Sequence, residues 1–264
     1  MSDRYAIIGN PVAHSKSPQI HAEFARATAQ DIDYGRLEAP LDAFAQTVER
    51  WRSEGGKGLN VTLPFKHQAF ALCARVSERA RVAQAVNTMR FHDSFGDNTD
   101  GVGLIRDLNS NLGVNLQGKS VLLLGAGGAA QGVVGALREA GVARLVIANR
   151  TVSRAKALAE RFPGTLACGY DALAAEVFEI VINATSASLG GEAPPVSPQV
   201  LKGATLAYDM VYGRDTPFLA AARRAGARRS DGLGMLVEQA AESFFIWRGV
   251  RPATRPVLEK LRGS

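Results

Sequence analysis

The segment Gly125-Ala126-Gly127-Gly128-Ala129-Ala130 constrains this chain more than any other stretch of it. It follows a short apolar run, Ser120 to Leu124, and opens a helical pattern from Gly128 to Ala140 that stops at Gly141. Strand, glycine-rich turn and helix in that order match G-x-G-x-x-G/A, with Ala130 in the last place, the turn that holds a dinucleotide in an open α/β sheet. Gly125 permits the tight turn, Gly127 lets the backbone approach a pyrophosphate, and Ala130 allows close helix-to-strand packing. The helix N-terminus at Gly128 and Ala129 supplies N–H donors. All six residues, Ala126 included, are read as cofactor-binding; the competing reading is a glycine-rich connection with no ligand.

The end of the next strand selects the dinucleotide. A carboxylate there would bind a free ribose 2′-hydroxyl, whereas cations suit a 2′-phosphate. The expected strand Arg144 to Ala148 runs into Asn149, Arg150 and Thr151, with Arg154 one helical turn on and no acidic residue among them. Arg150 can clamp a phosphate, Asn149 and Thr151 can donate, and Arg154 adds a second charge. NADP is the cofactor implied.

Short apolar runs alternate with helical patterns along the rest of the chain, the signature of parallel βα units. Strands are expected at 5–8, 34–38, 59–62, 179–183 and 205–209, and helices at 18–29, 41–52, 65–73, 152–161, 217–225 and 233–248. The fold class expected is α/β with two α/β domains, an N-terminal substrate domain and a Rossmann-like NADP-binding domain, the C-terminal helices returning to the first. The boundaries read as 1–102 plus 238–264 for the substrate-binding catalytic domain and 103–237 for the NADP-binding domain.

A formal net charge of +6 raises the question of nucleic acid. The densest basic cluster, Arg223, Arg224, Arg228 and Arg229, has no aromatic residue for base stacking and straddles an expected helix C-terminus, where cations are favourable. No nucleic-acid partner is expected; the field suits anionic small molecules. No apolar run approaches the roughly 18 residues of a membrane span, and no secretory pattern opens the chain, so a cytoplasmic protein without a membrane partner is expected. Cys73, Cys168 and the four histidines show no ligand spacing, so no metal is expected.

Three segments carry candidate substrate chemistry. Ser15 and Ser17 precede a helix with Pro18 at its start, and Ser17-Pro18 reads as N-cap and first helical residue. Two hydroxyls beside a helix N-terminus suit a carboxylate, and also describe a simple capped helix. Thr62 and Lys66 lie at the C-terminal end of the strand 59–62, where open α/β sheets bind ligands. The helix dipole disfavours a cation at Lys66, so it either points into water or is held by a carboxylate as an acid or base. Asp100, in Gly96-Asp97-Asn98-Thr99-Asp100-Gly101, is the candidate carboxylate, or part of a polar turn.

Taken together, GNPVAHSKSP, NVTLPFK, AVNT, GDNTDG, GAGGAA, ANRT, INATSAS, YDMVY and DGLGMLVEQAA resemble the shikimate dehydrogenase family in order over essentially the whole chain. The resemblance implies NADPH-dependent, reversible reduction of 3-dehydroshikimate to shikimate, with shikimate and 3-dehydroshikimate as small-molecule partners and a monomer or homodimer as the assembly. It places carboxylate binding on Ser15 and Ser17, the catalytic lysine on Lys66 and its paired aspartate on Asp100. Thr62, Asn87 and Gln239 fall on positions that hold the substrate, and Tyr212 near its carboxylate. Asn149, Arg150, Thr151 and Arg154 match adenosine-phosphate contacts, and Met210 and Gly234 positions close to the nicotinamide. Ser188 departs from the glycine of many members. Two alternatives remain: an NAD-using quinate/shikimate dehydrogenase, opposed by Arg150, and a non-catalytic NADP-binding sensor, opposed by retention of Lys66 and Asp100.

Overall fold

In a computed structural model, which describes residues 2–174, 176–185 and 187–263, the chain begins with β1 (Asp3–Gly9), whose residues Tyr5 to Ile8 are all buried. Such a two-sided apolar run is what a central parallel strand requires. Helix α1 (Ser17–Ala27) buries Ile20, His21 and Phe24 at helical spacing and leads to β2 (Ile32–Glu38), parallel to β1. Helix α2 (Phe44–Ser53) crosses to β3 (Gly56–Val61) on the other side of β1. Then follow α3 (Lys66–Leu72), β4 (Arg75–Val76), α4 (Glu78–Ala83), β5 (Thr88–Arg90), β6 (Phe95–Asp97) and α5 (Asp100–Arg106). The sheet order is β2-β1-β3-β5-β6-β4.

That sheet corrects the expectation of parallel βα units throughout, since β5 runs antiparallel to both β3 and β6. Strands of two or three residues are too short for an apolar period to register. Ala6, Ile8, Phe44, Leu59, Phe65 and Val86 form part of the core on one face of the sheet.

From α5 the chain passes through a π-helical turn, Asp107–Asn111. Next come β7 (Ser120–Leu124), α6 (Gly128–Glu139), β8 (Arg144–Ala148), α7 (Val152–Ala159), β9 (Thr165–Cys168), β10 (Ile180–Asn183), α8 (Pro198–Lys202), β11 (Leu206–Asp209), α9 (Pro217–Arg224) and β12 (Arg228–Ser230). The six strands are all parallel in the order β12-β11-β10-β7-β8-β9. Counted from β7, the order is that of a doubly wound dinucleotide-binding sheet, with its topological switch between β7 and β10. The basic cluster straddles a helix end as expected: α9 ends at Arg224, and beyond it Arg228 and Arg229 lie on the edge strand β12. Ser186 of INATSAS and the side chain of Ser188 lie outside the described residues.

Two compact units result, Met1–Gly103 with Leu236–Ser264, and Leu104–Met235. Helices α10 (Leu233–Arg248) and α11 (Arg255–Arg262) bring the C-terminus back to the first unit. Trp247 there stacks on Tyr5 with ring centroids 4.5 Å apart and donates from Nε1 to the Met89 carbonyl at 3.0 Å. Among the described residues no helix is long and apolar enough to cross a membrane.

Candidate active site

In the first unit, the C-terminal end of β3 delivers Lys66 as the first residue of α3. Its ammonium pairs with Asp100 Oδ2, and both side chains are largely buried. The carboxylate therefore offsets the unfavourable helix-dipole position of the lysine. Asp100 opens α5 directly after the GDNT turn. Its other oxygen, Oδ1, accepts from Asn87 Nδ2 at 2.8 Å. Asn87 also receives the Thr99 N–H on its Oδ1 at 2.9 Å. Gln239, on α10, brings Oε1 within 3.4 Å of Asn87 Nδ2 and 3.3 Å of the Thr99 hydroxyl. Lys66, Asp100, Asn87 and Gln239, separated widely in sequence, thus form one connected polar cluster. Thr62 lies half-buried just past β3.

The two serines are buried together at the start of α1. Ser15 Oγ donates to Ser17 Oγ at 3.2 Å and accepts the Ser17 N–H at 3.2 Å. The expected N-cap role of Ser17 is corrected, because Lys16 already has helical angles and occupies the cap position, so Ser17 sits within the first turn and no side chain caps the helix. Below them Tyr34 donates to Asn60 Oδ1 at 2.7 Å, and the Ser17 side chain also bonds to it. Burial pushes the Tyr34 phenol well above its ordinary value, so it stays protonated.

Asn60 completes this network with Nδ2 directed to the Asn87 carbonyl and Thr88 hydroxyl at 3.2 Å each and to Ser243 Oγ at 2.9 Å. Sequence reading missed Asn60, Thr88, Thr99 and Ser243. The available signal was a polar Asn within the buried run Leu59-Asn60-Val61, where an unpaired amide would be costly.

In the second unit, Gly125 follows β7 with φ +107°, a conformation that favours glycine. A Cβ on Gly127 or Gly128 would meet nothing within 4 Å, so the backbone at the N-terminus of α6 is open to a close-lying ligand. Ala126 and Ala130 are buried, while Ala129 lies in the first turn of α6. This cradle fits the pyrophosphate of a dinucleotide. At the end of β8, Arg150, Thr151 and Arg154 are all exposed. The Asn149 amide is engaged by the Thr151 carbonyl at 2.9 Å, and the Thr151 hydroxyl makes no cap bond to α7. Met210 donates its N–H to the Asn183 carbonyl at 2.9 Å, and Tyr212 follows it in the same segment after β11. Gly234 packs so closely on the Asp107 carboxylate that a Cβ there would collide with it. Tyr212 is thus in the second unit and the other predicted substrate residues in the first.

Comparison with known proteins places these features in context. Residues 7–89 match the family model for the shikimate dehydrogenase substrate binding domain, 107–190 that for shikimate / quinate 5-dehydrogenase, and 232–262 that for the shikimate 5′-dehydrogenase C-terminal domain. A shikimate dehydrogenase (NADP(+)) of Janthinobacterium sp. (strain Marseille) is 58% identical over 99% of this chain and 97% of its own length. The shikimate 5-dehydrogenase of Thermus thermophilus, solved in complex with NADP(H) and shikimate, has a TM-score of 0.89 at 36% identity, covering 98% of each chain. An Ael1 enzyme from Pseudomonas putida reaches a TM-score of 0.93 at 51% identity, again over 98% of each chain.

Proposed function

The chain belongs to the shikimate dehydrogenase family, and from that premise we propose how its own residues perform the reaction. It is an NADP-dependent oxidoreductase that interconverts 3-dehydroshikimate and shikimate, a reaction of chorismate and aromatic amino acid biosynthesis. The observation that carries the catalytic reading is the buried Lys66–Asp100 pair, with Asn87 on the second carboxylate oxygen.

NADPH, when bound, supplies the hydride that the substrate carbonyl carbon receives. Negative charge then develops on the substrate oxygen, and the Lys66 ammonium stabilises it and donates the proton that completes the hydroxyl. Asp100 pairs with that ammonium and aims it, itself held by Asn87. Ser15 and Ser17 take the substrate carboxylate, with Tyr212 near it, and Thr62, Asn87 and Gln239 orient the ring hydroxyls. The Gly125–Ala130 turn would hold the pyrophosphate, and Asn149, Arg150, Thr151 and Arg154 would take the 2′-phosphate. Met210 and Gly234 would contribute the contacts to the nicotinamide. We further propose that it works in the cytoplasm on these small molecules alone, as a monomer or homodimer, with neither nucleic acid nor membrane as a partner.

An absorbance assay of nicotinamide reduction with shikimate, run with NADP and then NAD, tests the activity. Rapid turnover with NADP and little with NAD is expected. Equal use of NAD would instead support the quinate/shikimate type.

A further inference from the structure

Two hydroxyls beside a helix start favour an anion, but they can also donate to an uncharged carbonyl, and Ser15 and Ser17 carry no full charge with which to discriminate between the two. Strand β2 supplies what is missing. Side chains two apart on a strand share a face, and here Tyr34 meets Ser17 and Asn60 while Arg36 meets Ser15. The guanidinium directs both Nε, at 3.2 Å, and Nη2, at 2.6 Å, onto the single backbone carbonyl of Ser15. Two bonds from a planar fork fix where the charge sits. Arg36 is exposed, and among the described residues no carboxylate forms an ion pair with it. Lys16 lies between the serines in sequence, yet no hydrogen bond joins its ammonium to either of them.

We propose that Arg36 is the specificity-determining cation of the carboxylate subsite, held on the Ser15 peptide so that its charge makes a pair of neutral hydroxyls select a carboxylate over an uncharged ester. The inference rests on the assignment of Ser15 and Ser17 to the substrate carboxylate. Arg36 itself is a positioning residue: held on the Ser15 carbonyl, it acts through its field and touches no reacting atom.

The test compares oxidation of shikimate with that of its methyl ester, which keeps the ring and hydroxyls and removes the charge. In Arg36→Gln the KM for shikimate should rise about 5- to 20-fold, the range for one partly solvated charge near a subsite. The kcat and the ester's KM should each stay within about twofold, because neither senses that charge. Arg36→Lys should recover much of the discrimination, and Lys16→Gln should leave it intact. Equal losses on both substrates in Arg36→Gln would reduce Arg36 to a brace and overturn the proposal, as would an unchanged preference for shikimate. Ser15→Ala separates the two levels of the argument. If it leaves the KM for shikimate unchanged, the carboxylate assignment itself is wrong; if it raises that KM while Arg36→Gln changes nothing, only the role of Arg36 falls.

Discussion

Lys66 and His21 show how differently two titratable side chains can be placed within one unit. Lys66 pairs with a carboxylate that only tertiary structure supplies, and Lys66→Ala should fold and bind shikimate with modest loss while kcat falls on the order of 10²–10⁴-fold. Asp100→Asn should lower kcat in the same direction, and wild-type turnover in either purified variant would remove that residue from the mechanism. His21 is fully buried, stacked on Tyr34 at 4.1 Å, with Phe24, Phe244 and Trp247 around it. Neither ring nitrogen has a hydrogen-bond partner among the described residues. Burial lowers its pKa to about 3 from 6.5, with the nearby Asn60 pulling weakly the other way. The unfolded chain therefore takes up a proton below 6.5 that the folded chain refuses down to about 3. The stability it contributes is complete above 6.5 and is lost as pH falls through that window, at about 1.4 kcal/mol per pH unit. Urea unfolding one pH unit below 6.5 and at neutral pH should show this slope in the wild type and a shallower one in His21→Phe; parallel curves would refute the buried neutral histidine. Lys66 and Asp100 were legible because each sits in a motif at a strand end or turn. The aromatic cage of His21 and the bond from Arg36 to Ser15 were not, because they depend on which face of β2 meets α1.

The end of β8 is the element whose chemistry was most readable. A parallel strand delivers its last residues to the ligand side of the sheet, and Ala148-Asn149-Arg150-Thr151 presents cations there without a carboxylate. Replacing Arg150 with Ala should weaken NADP by about 1.5–3 kcal/mol and leave NAD nearly unchanged, since a guanidinium gains its paired bonds from phosphate and little from a hydroxyl. Arg154→Ala should act the same way but less, being one turn further into α7. Titration of both cofactors checks this, and equal weakening of NAD and NADP would assign Arg150 to some other part of the dinucleotide. Elements were legible in proportion to their length and apolar period. The strands β7 and β8 and the helix α10 stand where the pattern put them. The short strands β5 and β6 did not register, because pairing defines them rather than an apolar period, β5 with β3 and β6, and β6 with β5 and β4. β12 was hidden within an arginine-rich run, since an edge strand with two exposed arginines shows no buried period.

At the scale of the molecule, both ligands are anions and the protein carries a formal charge of +6. The return of the C-terminal helices to the first unit was visible as DGLGMLVEQAA opening a helix with an apolar stripe, Leu236, Ala240, Phe244 and Trp247. Where positive charge would act was not, because composition gives a sum and not a map. A net field attracts every anion in proportion to its charge, whereas a clamp such as Arg150 acts only on the group it touches; salt separates the two. Raising ionic strength from roughly 0.05 to 0.5 M contracts the Debye length from about 14 to about 4 Å. The far-field contribution should then vanish while contacts at hydrogen-bond distance persist in part. The Kd of NADP, with the most negative charge, should rise by about tenfold, that of NAD by less, and the KM of shikimate, with one charge, by about twofold. In Arg150→Ala the salt dependence for NADP should fall toward that of NAD, since the contact that distinguished them is gone. If all three ligands weakened equally with salt in wild type and variant alike, the field would have no part in cofactor choice, and an effect of salt on the fold itself would be the better explanation.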